Sequence, residues 1–399
     1  MKSICLVLLL SAWFRINAYN QVGREVTDYP DLINTGMVIE NTIQLDISPV
    51  QYSILRSTTG EKCEVAAKWI VINRDTLKSK EISTRGQSTL MFERKSLNFK
   101  IKSKARFRHG DRTESMKNFL LLNLSMDKYY CRNRLAFEMM ELLDLFDLFY
   151  SFCELQINDK SEGVFMILER PEDWAFKEAQ SPVVIRRGYD HSIDKIKSDH
   201  KTDRADAKTY KRLYIQMYKT LKEFEGEALY QALLEYIDVD FYMKWLAFNF
   251  LVHNGDYSDE VFFYLDPEIN KFRIIPWDYD DIFAVTPHEG LKQRYKMIGN
   301  KLIFSSEDLL DIKIATDPYL YEVYLEKLKE VLETLTPDVL KHVFEKTFAE
   351  LYPYYSNPEI IGNVQYDHYN DASLEKLKGY LYDVYRILSS SRKSYLEKM

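Results

Sequence analysis

The sequence is short of cysteine, of clustered histidine, of excess positive charge and of long apolar runs. Its four cysteines lie at 5, 63, 131 and 153. That spacing is unlike a zinc site. The seven histidines are scattered and show no ligand spacing, which excludes a histidine-built metal centre. A formal net charge of −7 excludes a nucleic-acid binder that works by counterion release. No segment reaches the ~20 apolar residues of a membrane-crossing helix, so no transmembrane span is expected. No internal repeat and no low-complexity tract is present.

What is there fits a folded, exported protein. Hydrophobic residues make up 46% of the chain, enough for well-filled cores. The 29 tyrosines and 22 phenylalanines are mostly explained as core and surface aromatics. Lys2, the short apolar run from Ile4 to Leu10 and the Ile16-Asn17-Ala18 stretch read as a signal peptide over residues 1–18, cleaved after Ala18. A secreted or extracytoplasmic destination follows. Cleavage leaves three cysteines, which allow one disulfide without specifying it.

Residues 19–175 read as an α+β lobe. Gly36–Glu40 and Thr42–Ile47 are extended, Val65–Ile72 is a strand candidate, and Leu97–Ile101 alternates as a half-buried strand does. Phe119–Leu124 is a buried strand or its end. Asp127 is expected to cap a helix over Lys128–Leu143. Phe152–Ile157 and Val164–Leu168 flank an Asn158-Asp159 turn, giving a hairpin. Residues 176–399 read as a mainly helical lobe. The charged stretch Asp194–Arg212 is a solvated loop or helix. Tyr242–Val252 is a helix ended by His253-Asn254-Gly255, with glycine as the left-handed cap. Phe262–Leu265 and Phe272–Ile275 form a second hairpin. Asp317-Pro318 and Thr336-Pro337 each start a helix. Leu374, Leu377, Leu381, Val384 and Leu388 mark a final amphipathic helix.

The acidic residues around the second hairpin carry the chemistry. Asp256 follows a helix end, and Asp278 and Asp280 follow an apolar strand 22 residues later (278 − 256). One hairpin joins them, so they can face each other. A strand-end aspartate can hold Mg²⁺, and an aspartate on the preceding loop can take the proton of an attacking hydroxyl. The competing reading has Asp278 and Asp280 capping a turn, with Trp277 in the core. Asp256 and Asp278 as the acid–base pair of a glycan hydrolase is a third.

A resemblance extends this reading. Arg85-Gly86-Gln87-Ser88, Lys95-Ser96-Leu97-Asn98-Phe99-Lys100, Leu121-Leu122-Asn123 with Asp127 and Arg132-Asn133, the Glu162–Glu169 hairpin strand, Asn254-Gly255-Asp256 and Pro276-Trp277-Asp278-Tyr279-Asp280 occur in that order. Together they resemble the CotH family of secreted and spore-coat atypical kinases. No single motif is specific; the ordered set is. The resemblance implies an α+β, two-lobed, protein-kinase-like fold with a β-rich N-terminal lobe and a mostly helical C-terminal lobe. It implies ATP with Mg²⁺ or Mn²⁺, and a protein or small-molecule phosphoacceptor. Asp256 takes the catalytic role. Asp278, with Asp280 as alternative, takes the metal. Lys95 or Lys100 reaches phosphate, Glu169 orients a lysine or contacts nucleotide, and Arg85, Gln87 and Ser88 shape a phosphate-facing turn. Glu260 stands where the family carries asparagine, and it joins the metal set with an added charge. That departure keeps a non-catalytic surface, adhesion or coat-assembly protein as the alternative.

Other basic residues have two readings each. Lys95 and Lys100 also fit a solvated edge strand. Arg132 and Asn133 fit packing and capping at a helix start. Arg186-Arg187 fits phosphate binding or plain surface. His253 fits a general base or a partner for last-turn carbonyls.

Overall fold

The computed structural model describes residues 29–67, 69–188, 191–199, 204–257, 261–283, 301–304, 308–362 and 372–399. The expected signal peptide lies outside them, as does Glu260.

A closed barrel forms the N-terminal lobe. Its strands are β1 (Thr42–Leu45), β2 (Trp69–Ile72), β3 (Asp75–Thr84), β4 (Leu97–His109), β5 (Arg112–Leu122), β6 (Tyr150–Ile157) and β7 (Lys160–Leu168). Their order is β1-β2-β3-β4-β5-β7-β6. Neighbours pair antiparallel except at the closure, where β1 runs parallel to β6 from Thr42↔Glu154 to Leu45↔Ile157. Closure leaves the sheet without a free edge. On β4, Leu97, Phe99 and Ile101 point inward while Asn98 and Lys100 alternate outward. The Phe99 and Phe119 rings stack at 4.8 Å inside. The β6–β7 hairpin turns at Asn158 (φ 52°) and Asp159 (φ 61°), residues whose side chains tolerate left-handed backbone.

A second sheet and the helices form the rest. Strands β8 (Val183–Arg187), β9 (Ile193–Ser198), β10 (Phe262–Asp266) and β11 (Lys271–Ile275) lie in the order β11-β10-β8-β9. The helices are α1 (Pro49–Ser57), α2 (Arg132–Glu141), α3 (Pro171–Lys177), α4 (Arg204–Glu223), α5 (Gly226–Leu233), α6 (Val239–Leu251), α7 (Leu309–Thr316), α8 (Pro318–Thr334), α9 (Pro337–Tyr355), α10 (Pro358–Ile361) and α11 (Leu374–Lys398). Asp317 caps α8 by accepting from Tyr319 and Leu320 N–H, and Thr336 caps α9 by accepting from Val339 N–H. One continuous core runs from α2 through the second sheet into α8, α9 and α11.

Several expectations shift. Of Val65–Ile72, Trp69–Ile72 is strand; Val65 N–H reaches Ile82 O and Thr84 N–H reaches Cys63 O in a single bridge upstream. Gly36–Glu40 forms no strand. The Asp127 helix begins four residues late, because Tyr129 (φ 56°) interrupts the first turn. Asp194–Arg212 contains most of β9 and the start of α4. His253, not Gly255, takes the left-handed conformation after α6. Cys63, Cys131 and Cys153 are free thiols, the last two in the core.

A buried ion cluster joins the lobes. Arg134, on α2 and wholly inaccessible, donates from Nε and Nη2 to the two oxygens of Glu350 on α9, at 2.6 and 2.7 Å. It also meets Glu138 at 2.9 Å. Lys346 reaches Glu138 at 2.8 Å, and His109 at the β4–β5 turn reaches Glu350 at 3.2 Å. A bidentate guanidinium–carboxylate pair has strict geometry, so it fixes α2 on α9.

Candidate active site

The site begins with the local fold of two loops. After α6, Asn254 turns the chain: its Oδ1 accepts Asp256 N–H at 3.1 Å, and its Nδ2 donates to Asn249 Oδ1 at 2.9 Å. After β11, Pro276 to Asp281 forms the acidic loop. The loops meet at Gly255, whose N–H donates to Asp281 O at 2.9 Å. A Cβ on Gly255 would lie 1.9 Å from Asp281 Oδ2 and 3.2 Å from Asp281 O, so glycine leaves the Asp281 carboxylate room against this backbone. Asp256 and Asp278 thus stand on loops that touch, both exposed. Asp278 has φ 56°, a left-handed turn of the kind a short aspartate side chain tolerates.

The acidic loop is held by the start of α2. Asp127 is buried and accepts from Arg132 N–H (2.7 Å), Asn133 N–H (2.8 Å) and Asn133 Nδ2 (2.9 Å). Burial pushes its carboxyl up to about 6 against those hydrogen bonds. Asn133 Oδ1 then accepts Tyr279 N–H at 3.0 Å. Arg132 donates to Asp280 O and to Tyr380 Oη. The Tyr279 hydroxyl accepts from Trp245 Nε1 at 2.9 Å, tying the loop to α6. Asp127 therefore caps the backbone of Arg132 and Asn133, whose side chains hold the acidic loop.

Charge is crowded here. Asp280 is half-buried, and its carboxyl is held well above the usual range, first by burial and then by Asp278, Asp127 and Asp281, with Arg132 opposing. Like charges at one point favour a cation or a proton. Among the described residues no three Asp, Glu, His or Cys side chains group to hold a metal by themselves. Mg²⁺ commonly takes one or two carboxylates and completes its shell with water and phosphate oxygens. The hard oxygen donors of Asp278 and Asp280 fit that pattern.

The barrel contributes one residue to this point. Arg85, after β3, carries its guanidinium 5.7 Å from the Trp277 ring centre, and its N–H donates to Ser96 O at 2.9 Å. Gly86 has φ 101° with Thr89 packed over it, which fixes the turn. Gln87 is exposed, and its carbonyl accepts Leu90 N–H at 3.2 Å above the short Ser88–Met91 turn.

The other expected residues are placed differently. Lys95 is buried, with its ammonium on Leu90 O (2.8 Å) and Phe92 O; burial lowers its proton affinity. Lys100 faces outward and pairs with Glu81 at 2.8 Å. Neither is on an edge strand, since the barrel is closed. Glu169, at the end of β7, is buried and accepts Phe149 N–H at 3.3 Å. Arg187 is neither a phosphate ligand nor surface: it is wholly buried against Asp308 (3.4 Å), Asp311 (3.6 Å) and Tyr242 (2.6 Å). His253 Nε2 meets Tyr395 Oη at 3.1 Å.

Burial raises Glu169 to about 7. A raised carboxyl costs stability once pH exceeds its unfolded value near 4.3, and the cost levels off above the folded value. Glu169→Gln keeps the acceptor for Phe149. We expect it to stabilise the protein by about 2–3 kcal/mol at pH 8 and hardly at all at pH 4, as urea unfolding at both pH values would show.

Comparison with known proteins bears on this geometry. The family described as CotH kinase protein matches residues 82–388, which includes both loops, Arg85 and α2. Among solved structures, the chain is similar to the Helicobacter pylori proinflammatory kinase CtkA, at 11% identity and TM-score 0.33 over 74% of this chain and 94% of that one. It is also similar to a chain of the Shewanella oneidensis MR-1 toxin–antitoxin HipA, HipB and operator DNA complex, at 11% identity and TM-score 0.30 over 69% and 65%. No curated protein matches. No described helix is long and apolar enough to cross a membrane.

Proposed function

Since the chain belongs to the CotH kinase family, we propose that it is an exported kinase that transfers the γ-phosphate of ATP to a hydroxyl on a protein or small molecule. The observation that carries this is the Gly255–Asp281 contact, which sets the Asp256 loop against the acidic loop. In-line transfer needs a proton acceptor and a cation-holding carboxylate at one place.

Asp278 and Asp280 would hold the divalent ion, Mg²⁺ or Mn²⁺. When bound, the ion supplies charge neutralisation to the nucleotide phosphates. Asp256 orients the acceptor hydroxyl and takes its proton. Arg85, held over Trp277, adds positive charge from the barrel side, with the Gln87–Ser88 turn beside it. Lys95 and Lys100 would first have to leave their carbonyl and carboxylate partners to reach phosphate. Arg85 already stands over Trp277 of the acidic loop, which makes it the better-placed cation. The Arg132–Asn133 grip keeps the acidic loop in one conformation, which preorganises the site.

Isothermal titration tests the reading. ATP should bind the wild-type protein only with Mg²⁺ or Mn²⁺, and Asp278→Asn should remove that metal dependence. Equally tight metal-dependent binding in the variant removes Asp278 from the site. An absence of nucleotide binding in the wild type replaces the kinase with the surface or coat-assembly reading.

A further inference from the structure

A cleft of about 380 Å³ opens between His191–Ile193, at the start of β9, and one face of α4. Its floor is Tyr214 and Tyr218, and its wall includes His191. Its rim carries Lys211, Lys219 and Lys222, all exposed. On a helix these three positions share an arc of about 80° and extend about 16 Å. No carboxylate pairs with them among the described residues. By contrast, Lys100, Lys197, Lys244, Lys327 and Lys346 each hold one. A basic cleft on a molecule of net charge −7 is a local reversal of sign, which attracts anions selectively.

The cleft is built, not incidental. The His191 ring stacks on Tyr218 at 4.7 Å, and Tyr214 donates to His191 O at 3.3 Å. Tyr218 in turn donates to Asp308, within the buried Arg187 cluster. His191 Nδ1 is buried and has no hydrogen-bond partner among the described residues. Strand β8 also pairs with β10, the strand that follows the Asp256 loop in sequence. Arg187 N–H donates to Val261 O at 2.9 Å, and Gly188 N–H to Ser192 O at 2.8 Å. Val261 is five positions beyond Asp256.

We infer that this cleft binds a carboxylate-rich peptide segment of the phosphoacceptor. The length of the lysine row favours an extended chain over a single small anion. The inference rests on the phosphotransfer reading for the word acceptor; the binding itself does not.

The test is fluorescence anisotropy on the full chain. The probe is a labelled peptide of glutamates around one serine, with a lysine-for-glutamate peptide as control. The comparison protein is Lys211→Gln/Lys219→Gln/Lys222→Gln, whose exposed changes spare the core, and Mg²⁺–ATP titration of the same samples checks both the fold and the nucleotide site. We expect the acidic peptide to bind the wild type, to weaken with salt, and to lose about tenfold or more in the triple variant. Nucleotide binding should be unchanged. If the wild type binds nucleotide but not the acidic peptide, or binds both peptides equally, the cleft assignment falls. If inorganic phosphate competes at the peptide's own concentration, the cleft is a small-anion site and the peptide assignment falls. Peptide binding without nucleotide binding keeps the cleft and overturns the kinase reading.

Discussion

Asp256→Asn should reduce phosphotransfer by about 10²–10⁴-fold, the usual contribution of a positioned general base, while leaving Mg²⁺–ATP binding close to wild type. Asparagine keeps the shape of aspartate and removes only its charge, which makes this a conservative probe. Asp256 is exposed, and its backbone N–H, which Asn254 holds, is unaffected by the change. The Gly255–Asp281 contact that sets the two loops together also involves no Asp256 side-chain atom. Loss of transfer with retained binding separates the proton-accepting role from the metal-holding role, because an interaction made only in the transition state lowers turnover without lowering affinity. Radiolabelled γ-phosphate transfer to a serine-peptide library, beside nucleotide titration, gives both quantities. Undiminished transfer would remove Asp256 from the mechanism and leave Asp278, Asp280 and Asp281 as the remaining carboxylates.

The second large effect concerns stability. Arg134→Met should destabilise the protein by about 3–5 kcal/mol, since it leaves Glu350 and Glu138 buried without their main counter-charge. Adding Glu350→Leu to that variant should restore part of the loss, because no uncompensated carboxylate then remains on α9. The pH dependence has a definite sign. Burial opposes ionisation of Glu350, but Arg134 and His109 outweigh it and hold the carboxyl well below its usual range. Glu138 is lowered too, against its burial, by Arg134 and Lys346. A depressed carboxyl contributes stability above its unfolded value, near 4.3, and loses it as pH falls toward the folded value. The wild-type urea midpoint should therefore drop below about pH 4.3. Glu350→Gln should start lower and show a shallower acid dependence. An Arg134→Met protein as stable as wild type, with the same acid profile, would show that the cluster does not bind the lobes.

Much of this was readable from the sequence where the signal is local. Proline after a capping residue started α8 and α9. Alternation marked β4, and Asn158-Asp159 marked the β6–β7 turn, because short polar side chains tolerate left-handed backbone. Asp256, Asp278 and Asp280 stood out because only a short hairpin separates them. The signals that failed were those that compete with tertiary contacts. Asp127 looks like an ordinary cap, yet its carboxylate reaches past a kink to Arg132 and Asn133. Gly255 looks like a left-handed cap, but its missing Cβ serves the approach of Asp281. Lys95 looks like a free cation, yet it is buried on two carbonyls.

The sequence by itself determined the strongly patterned elements, the α+β class and the candidate carboxylates, since these follow from residue preferences and short spacings. Only the tertiary structure decided the parallel β1–β6 closure, the Arg134–Glu350 join across 216 residues, the placing of Arg85 over Trp277 and the lysine cleft along α4. Each of these depends on which distant segments share a core. Chain order does not encode that in any local pattern; the burial of apolar faces and the pairing of buried charges select it when the chain folds.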